Sequence, residues 1–127
     1  MKRMILWSLP LLLALAGCAG EAKENTYQQI TQEKAREMME NPEVIILDVR
    51  EQAEFDAGHI PGALLLPVGQ ITGETAAQVI PEQDTVVLVY CRSGNRSKTA
   101  SQALADLGYS AIYEFGGINT WPYEVEK

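Results

Sequence analysis

The sequence predicts an α/β domain with a mainly parallel central sheet. Two strongly apolar runs, at residues 44–49 and 86–90, lack the polar alternation of a half-exposed strand, so each suits a strand buried on both faces. Helix-like segments separate the strand-like ones, as the crossover connections between parallel strands require. The chain has 127 residues, of which 46% are hydrophobic, enough for one such domain around one core.

The first half of the domain begins with a helix in which Thr31 is a candidate N-cap and Pro42 follows the last turn. Gly and Pro residues at 58–62 are typical of a turn. The elements predicted in this half are a helix at 31–39, a strand at 44–49, a short helix at 51–57 and a strand at 63–67.

The second half repeats the alternation and ends in a glycine pair. Its most regular helix places four apolar side chains on one face and stops at Gly108. The predicted elements are a helix at 74–80, a strand at 86–90, a helix at 97–107 and a strand at 111–115, after which Gly116 and Gly117 end the strand. Ligands of parallel sheets bind beyond the carboxyl ends of the strands, which is where residue 91 falls.

The N-terminus has the pattern of an export signal. Lys2 and Arg3 precede an apolar stretch at 4–16, which is shorter than the roughly 20 residues that span a bilayer as a helix. The next residues, Leu-Ala-Gly-Cys at 15–18, resemble the lipobox of bacterial lipoproteins. Ordinary cleavage after the small residues, or an uncleaved anchor, are the alternatives.

The lipobox resemblance implies a particular organisation of the chain. Residues 1–17 are the signal peptide, 18–25 are the lipidated N-terminus and tether, and 26–127 are the domain. Cys18 carries the lipid, in such proteins a fatty acid such as palmitate. The protein is then expected outside the cytoplasm, held to a bacterial membrane on its periplasmic or extracytoplasmic face.

Charge and cysteine count narrow the possible functions. The formal net charge is -7, and loss of Lys2 and Arg3 with the signal would make it -9. Such acidity excludes nucleic acid as a natural partner, because nucleic-acid binding depends on cations that neutralise phosphates. With Cys18 lipidated, Cys91 has no cysteine to pair with in its own chain. It is a candidate reactive thiol, the alternative being a buried, inert cysteine.

The segment after the 86–90 strand has the composition of an anion-binding loop. Backbone N–H groups of a tight strand-to-helix loop, with the first turn of the helix, favour a thiolate at Cys91 and lower the pKa of a cysteine from about 8.5. Alternatively, the arginines face water and the last serine only caps the helix. The candidate loop residues are Arg92, Ser93, Gly94, Asn95, Arg96 and Ser97, with the two arginines as ligands of an incoming oxyanion.

This loop, CRSGNRS, resembles the active-site loop of the rhodanese (thiosulfate sulfurtransferase) family. Three further stretches match in the same order: Asp48-Val49-Arg50 with Glu54-Phe55, GHIPGA at 58–63, and Gly116-Gly117-Ile118 with Trp121. The resemblance spans about residues 26–123. Together with the lipobox, it implies a single-domain, exported lipoprotein form of this family. It implies a three-layer domain with about five strands and helices on both faces of the sheet.

In this family a sulfane sulfur passes through a cysteine persulfide, which the resemblance assigns to Cys91. The implied partners are small sulfur donors, thiosulfate or persulfides, and thiol or cyanide acceptors, with no metal, no organic cofactor and a monomeric chain. The alternative is a non-catalytic or persulfide-carrier module that binds a partner protein. The spacing from Cys91 to Arg96 is C-x4-R, whereas phosphatases that share the fold carry C-x5-R, so the shorter loop disfavours phosphatase chemistry.

Asp48 and Arg50, near the end of the first buried strand, have two interpretations. Arg50 either lends charge to the active-site face, or forms a structural ion pair with Glu51, Glu54 or Asp56, and the second interpretation is favoured. His59 lies in the turn at 58–62 and is not expected to act as a base.

Overall fold

A computed structural model describes residues 25–127, which form a three-layer α/β domain. Within that range five parallel strands make one sheet in the order β1-β5-β4-β2-β3. The strands are β1 (Gln28–Gln29), β2 (Ile45–Asp48), β3 (Leu64–Leu65), β4 (Val87–Cys91) and β5 (Ile112–Gly117). The predicted parallel sheet of about five strands with helices on both faces is confirmed. β1 was not predicted, because two exposed residues leave no apolar pattern.

Four α-helices cover the sheet: α1 (Gln32–Met38), α2 (Gln52–Ala57), α3 (Gly73–Val79) and α4 (Asn95–Asp106). The Thr31 side chain caps α1 by accepting the Lys34 backbone N–H at 3.0 Å, as the sequence predicts. Helix α4 begins at Asn95, two residues earlier than the predicted start at 97, because Gly94 takes the N-cap position.

The sheet separates two hydrophobic cores, and β4 contributes to both. Val87, Val89 and Cys91 face a core shared with α3 and α4, whereas Leu88 and Tyr90 face a core shared with α1. All five residues are at most 1% exposed. This two-sided burial explains why β4 has no polar alternation in sequence, and it directs the Cys91 side chain toward α4.

A bulge in β5 shapes the edge of the sheet next to Cys91. Val89 pairs with Glu114, but Cys91 pairs with Gly117, so β5 holds one residue more than β4 between these pairs. Gly116, within the bulge, has φ 94°, a left-handed conformation that side chains disfavour. A Cβ on Gly117 would lie 2.0 Å from the Arg92 carbonyl oxygen, so only glycine lets β5 approach the loop this closely.

The predicted signal peptide (1–17), the lipid site Cys18 and nearly all of the tether lie outside the described residues and stay predictions. Among residues 25–127, no helix has both the length and the apolar character to cross a membrane.

Candidate active site

Cys91 lies at the carboxyl end of β4 and is 1% exposed. Its Sγ accepts a hydrogen bond from the Gly94 backbone N–H at 3.1 Å and lies 3.4 Å from the Ser97 Oγ. The loop from Arg92 to Gly94 therefore wraps around the sulfur and returns its backbone donors to it. This is the anion-binding arrangement that the sequence predicts for the segment.

Gly94 makes the wrap possible. It has φ 102° and serves as the N-cap of α4, so the chain reverses within three residues of the cysteine. The helix then begins at Asn95, whose exposed position leaves its side chain in solvent, while Ser97 one turn in is completely buried. From the first helical turn, the Ser97 N–H group acts on the sulfur, where it favours negative charge.

The surroundings lower the pKa of Cys91. Burial acts against this by raising the pKa, but the Ser97 hydroxyl and the backbone N–H groups of Ser97, Gly94 and Ser93 hydrogen-bond to the sulfur and outweigh it. Only part of the predicted loop therefore supplies hydrogen-bond donors to the sulfur. The fixed dipoles of these donors would stabilise a thiolate or persulfide anion.

Glu114 is the site residue that sequence reasoning missed. It is 2% exposed on β5 and accepts hydrogen bonds from the Ser97 hydroxyl at 2.5 Å and the Gly116 N–H at 3.0 Å. Its second oxygen accepts from the Gln29 side chain at 3.2 Å. A signal was present in the sequence: in the predicted strand at 111–115, Glu114 alternates with Ile112 and so shares its inward face.

The basic side chains of the loop have different surroundings. Arg96 forms a two-pronged ion pair with Glu54 of α2, with Nη1–Oε2 and Nη2–Oε1 distances of 2.8 and 2.9 Å. The Arg96 hydrogen bonds, offset in part by burial, lower the pKa of Glu54 to about 2. Arg96 is therefore held in an ion pair within the protein, whereas the sequence predicts that it binds an incoming oxyanion. Arg92 and Lys98 are exposed, and no carboxylate of residues 25–127 forms an ion pair with them.

Asp48 and Arg50 lie on the other face of the sheet and do not meet Cys91. Arg50 donates to Asp48 through both Nε and Nη2, the latter at 2.7 Å, and to the Gly58 carbonyl at 2.7 Å. The Tyr90 hydroxyl donates to the same carboxylate at 2.6 Å. The pair is structural, as the favoured interpretation holds, but the partner of Arg50 is Asp48 instead of Glu51, Glu54 or Asp56.

Comparison with known proteins decides the family. A family model described as "Rhodanese-like domain" matches residues 31–123. The chain belongs to the rhodanese family. A thiosulfate sulfurtransferase, GlpE of Coxiella burnetii, is 31% identical over 96 residues, which cover 75% of this chain and 87% of that protein.

Solved structures agree with the rhodanese fold. A rhodanese with anions from E. coli has a TM-score of 0.61 and 28% identity, and the match covers 65% of this chain and 96% of that one. The rhodanese-like domain of the Anabaena protein Alr3790 has a TM-score of 0.71, 24% identity and 80% coverage of each chain. The second likeness supports the fold alone.

His59, the remaining titratable residue that the sequence analysis considered, has structural partners in this rhodanese domain. His59 stacks on Phe55 with ring centroids 3.8 Å apart, its Nδ1 lies 2.9 Å from the Phe55 carbonyl oxygen, and its Nε2 faces Glu126 at 3.4 Å. It makes no contact with the Cys91 loop. Among the described residues, no group of three or more His, Cys, Asp or Glu side chains is arranged to hold a metal ion.

Proposed function

We propose that this rhodanese is a sulfurtransferase that moves a sulfane sulfur from a donor such as thiosulfate to a thiophilic acceptor through a persulfide on Cys91. The observation that carries the proposal is the buried Cys91 sulfur, held by backbone N–H groups and the Ser97 hydroxyl within a C-x4-R loop. The relationship to a protein named thiosulfate sulfurtransferase supports sulfur transfer as the chemistry and thiosulfate as the first donor to test.

The reaction consists of two displacements at sulfur. The Cys91 thiolate attacks the outer sulfur of thiosulfate, the S–S bond of the donor breaks, and sulfite leaves with the electron pair. The product is a persulfide anion on Cys91, which retains the single negative charge that the thiolate brought. Cyanide or a thiolate then attacks the outer sulfur, and the electron pair of the Cys91 S–S bond returns to the cysteine.

The loop stabilises the charge throughout these steps. The N–H groups of Ser93, Gly94 and Ser97 already face the sulfur, so the site needs little reorganisation as charge moves onto the outer atom. Exposed Arg92 is the guanidinium available to attract the dianionic donor, because Arg96 is held by Glu54. No metal or organic cofactor is required by this chemistry.

The decisive experiment is loading of the purified protein with thiosulfate, followed by intact-protein mass spectrometry. We expect Cys91 to gain the mass of one sulfur atom and to return to its original mass when cyanide is added, with thiocyanate as the product. Cys91→Ser should show neither change while it unfolds at nearly the wild-type temperature. Thiocyanate formation by Cys91→Ser at the wild-type rate would exclude the proposal.

The same experiment distinguishes the carrier alternative, a rhodanese module that holds a persulfide for a partner protein. A carrier would load rapidly from a low-molecular-weight persulfide but scarcely turn over thiosulfate and cyanide. The buried, pre-organised thiolate site favours an enzyme, because fixed donors around the reacting atom are what turnover requires. Hydrolysis of an aryl phosphate would instead point to phosphatase chemistry.

We also propose that the protein is exported and lipid-anchored through Cys18. The proposal is supported by the sequence alone, namely the basic start, the 4–16 apolar stretch and the Leu-Ala-Gly-Cys motif. Metabolic labelling with a fatty-acid analogue should mark the wild-type protein and not Cys18→Ser, with Cys91→Ser as the matched cysteine control. Equal labelling of the wild type and Cys18→Ser would disprove lipidation at this residue.

A further inference from the structure

The Ser97 hydroxyl lies between the Cys91 sulfur and the Glu114 carboxylate. Its Oγ is 3.4 Å from the Cys91 Sγ and 2.5 Å from the Glu114 Oε2. A hydroxyl has one hydrogen to donate, so Ser97 cannot donate to the sulfur and to the carboxylate at once. In the arrangement described, the Cys91 thiol donates to Ser97 and Ser97 donates to Glu114. The three groups form one hydrogen-bonded chain.

This chain is the proton path that the site provides. The other groups that contact the sulfur are backbone N–H donors, which have no lone pair available to accept a proton. Cys91 is 1% exposed and Ser97 0%, so the thiol and the hydroxyl are shielded from bulk water, and Glu114 is 2% exposed. A thiol proton that leaves Cys91 within the folded site therefore has Ser97 as its acceptor.

We infer that Glu114 is a positioning residue that acts through Ser97 and takes up the proton that Cys91 loses when it becomes a nucleophile. The inference deepens the proposed sulfurtransferase function and rests on it. The thiol proton passes to the Ser97 Oγ while the Ser97 hydroxyl proton passes to the Glu114 Oε2. One negative charge moves from carboxylate to sulfur, and the Ser97 hydroxyl then donates to the thiolate.

Glu114 also has a route to release the proton. Glu114, although only 2% exposed, is among the residues that line a surface cavity of about 320 Å³, together with Ser93, Lys98, Gln32 and Gly116. A protonated Glu114 can return its proton to water there after sulfite has left. The carboxylate thus connects the buried thiol to solvent on the β1 side of the loop.

The charged groups around the hydrogen-bonded chain come from the loop, α2 and α4. Arg96 of α4 and Glu54 of α2 form a closed ion pair, and the pKa of Glu54 is lowered to about 2, so it stays ionised at neutral pH. Arg92 of the loop is an exposed cation next to Cys91 in sequence, and Lys98 of α4 is an exposed cation that lines the cavity. The groups that exchange a proton in the inferred path are then Cys91 and Glu114, which the Ser97 hydroxyl joins.

The test is the pH dependence of single-turnover loading of Cys91 from thiosulfate, in the wild type and in Glu114→Gln, over about pH 5 to 9. In the wild type the internal acceptor keeps the loading rate nearly constant over most of this range. Glutamine keeps the size and an acceptor oxygen but takes no proton, so loading should slow about tenfold for each pH unit below the thiol pKa. The two rates should converge at the alkaline end.

A purely electrostatic role would move the profile the other way. If Glu114 only repelled the thiolate, Glu114→Gln would lower the thiol pKa and load faster at low pH. An unchanged profile, or a shift to lower pH, overturns the inference. Ser97→Ala should reproduce the alkaline shift, and the double variant should add nothing to it, because both substitutions cut one path. Glu37→Gln, an exposed acid on α1, is the matched control and should leave the profile unchanged.

Two further measurements separate the possible failures. The profile is repeated with iodoacetamide, which alkylates Cys91 without any sulfur donor. A wild type that is alkylated as expected but not loaded by thiosulfate would reject the proposed function and keep the proton path. If Glu114→Gln does not fold, the rate of loading of the wild type is compared in H2O and D2O at neutral pH. We expect slower loading in D2O, and equal rates would overturn the proton path.

Discussion

The neighbouring ends of β2 and β4 each hold a buried ionisable group, but the hydrogen bonds around the two groups differ in kind. At the end of β2, Asp48 accepts from Arg50 and Tyr90, and every one of these bonds has a fixed donor. At the end of β4, the sulfur of Cys91 shares the Ser97 hydroxyl with Glu114, and the surrounding N–H groups wait for a charge that forms during the reaction.

The two clusters differ in the number of positions that a proton can occupy. Burial raises the cost of any unpaired charge, so both clusters need partners. Burial by itself lowers the pKa of Arg50, but the Asp48 carboxylate outweighs it and the pKa is raised, which locks the pair in its ionised form. The hydrogen bonds of the Cys91 cluster are not fixed in this way, since the sulfur and the Glu114 carboxylate compete for the one Ser97 hydroxyl. The first arrangement is typical of a structural tie, and the second of a reactive site.

The largest effect should come from breaking the locked cluster. Asp48→Asn leaves the Arg50 guanidinium, 5% exposed, without its counter-charge, and we expect a loss of about 3–5 kcal/mol in the free energy of unfolding. Urea denaturation measures it, with the exposed Asp56→Asn as control. The iodoacetamide profile of Cys91 in the folded variant should not move. A shifted profile would show that the two clusters are coupled.

The next effect should come from displacing the loop with an added methyl group. In Gly117→Ala the Cβ would lie 2.0 Å from the Arg92 carbonyl oxygen and 2.6 Å from the Ser93 Cα, so the loop must shift. A displacement of about 1 Å can cost roughly 100-fold in rate, and we expect a loss of that order in sulfur transfer.

Gly69→Ala is the matched control for that substitution, because nothing lies within 4 Å of its added Cβ. It should keep wild-type activity. Full activity in Gly117→Ala would mean that sulfur transfer tolerates a geometry in which the loop donors no longer surround the sulfur, and would contradict a pre-organised site.

A smaller effect is expected from Arg92, which acts from the solvent side. Arg92→Gln removes one exposed cation, worth on the order of 1 kcal/mol against a charge at contact distance in water, so the KM for thiosulfate should rise about fivefold. The difference should shrink as salt is added, because salt screens exposed charges. Steady-state kinetics at two ionic strengths give both results, with Lys34→Gln on α1 as control. A fall in kcat at unchanged KM would contradict this role.

The smallest effect concerns the Glu54–Arg96 pair. Because the pKa of Glu54 falls from 4.5 to about 2 on folding, the pair stabilises the protein above pH 4.5 and loses this contribution as the pH falls through about 2. Both side chains are about one-third exposed, so Glu54→Gln should cost only about 0.2–1 kcal/mol at neutral pH. Thermal melts at pH 7 and near pH 2 check it, and a cost that is equal at both pH values would rule out the pair as its source.

Much of the fold followed from local pattern. The uninterrupted apolar runs of β2 and β4, with helix signals between them, predict a parallel sheet because only a strand buried on both faces lacks alternation. β1 escaped prediction because it is held by its register with β5 and not by its own composition. The start of α4 was misplaced because the left-handed Gly94 ends the loop earlier than Ser97 suggests.

The site was predictable where neighbours in sequence meet, and less so where distant residues meet. Cys91, Gly94 and Ser97 lie in one loop, so their convergence followed from its tightness. The partner of Arg96 is 42 positions away and that of Ser97 is 17 positions away. The sequence offers Glu54 as a partner for the end of the first buried strand and Glu114 only as part of its own strand. Long-range ion pairs depend on the sheet order, which the sequence leaves open.

Burial of the Cys91 sulfur has a consequence for the lifetime of the thiol. A disulfide requires the two Cβ atoms to approach within about 3.5–4.5 Å, and a sulfur that is 1% exposed in a closed loop denies that approach to a cysteine of another protein. The loop thereby acts as a size filter that protects the thiol from cross-linking to another protein. In the proposed persulfide the outer sulfur would stand about 2 Å farther along the side chain than the Cys91 Sγ, so an acceptor would not have to reach as deep as the thiol itself.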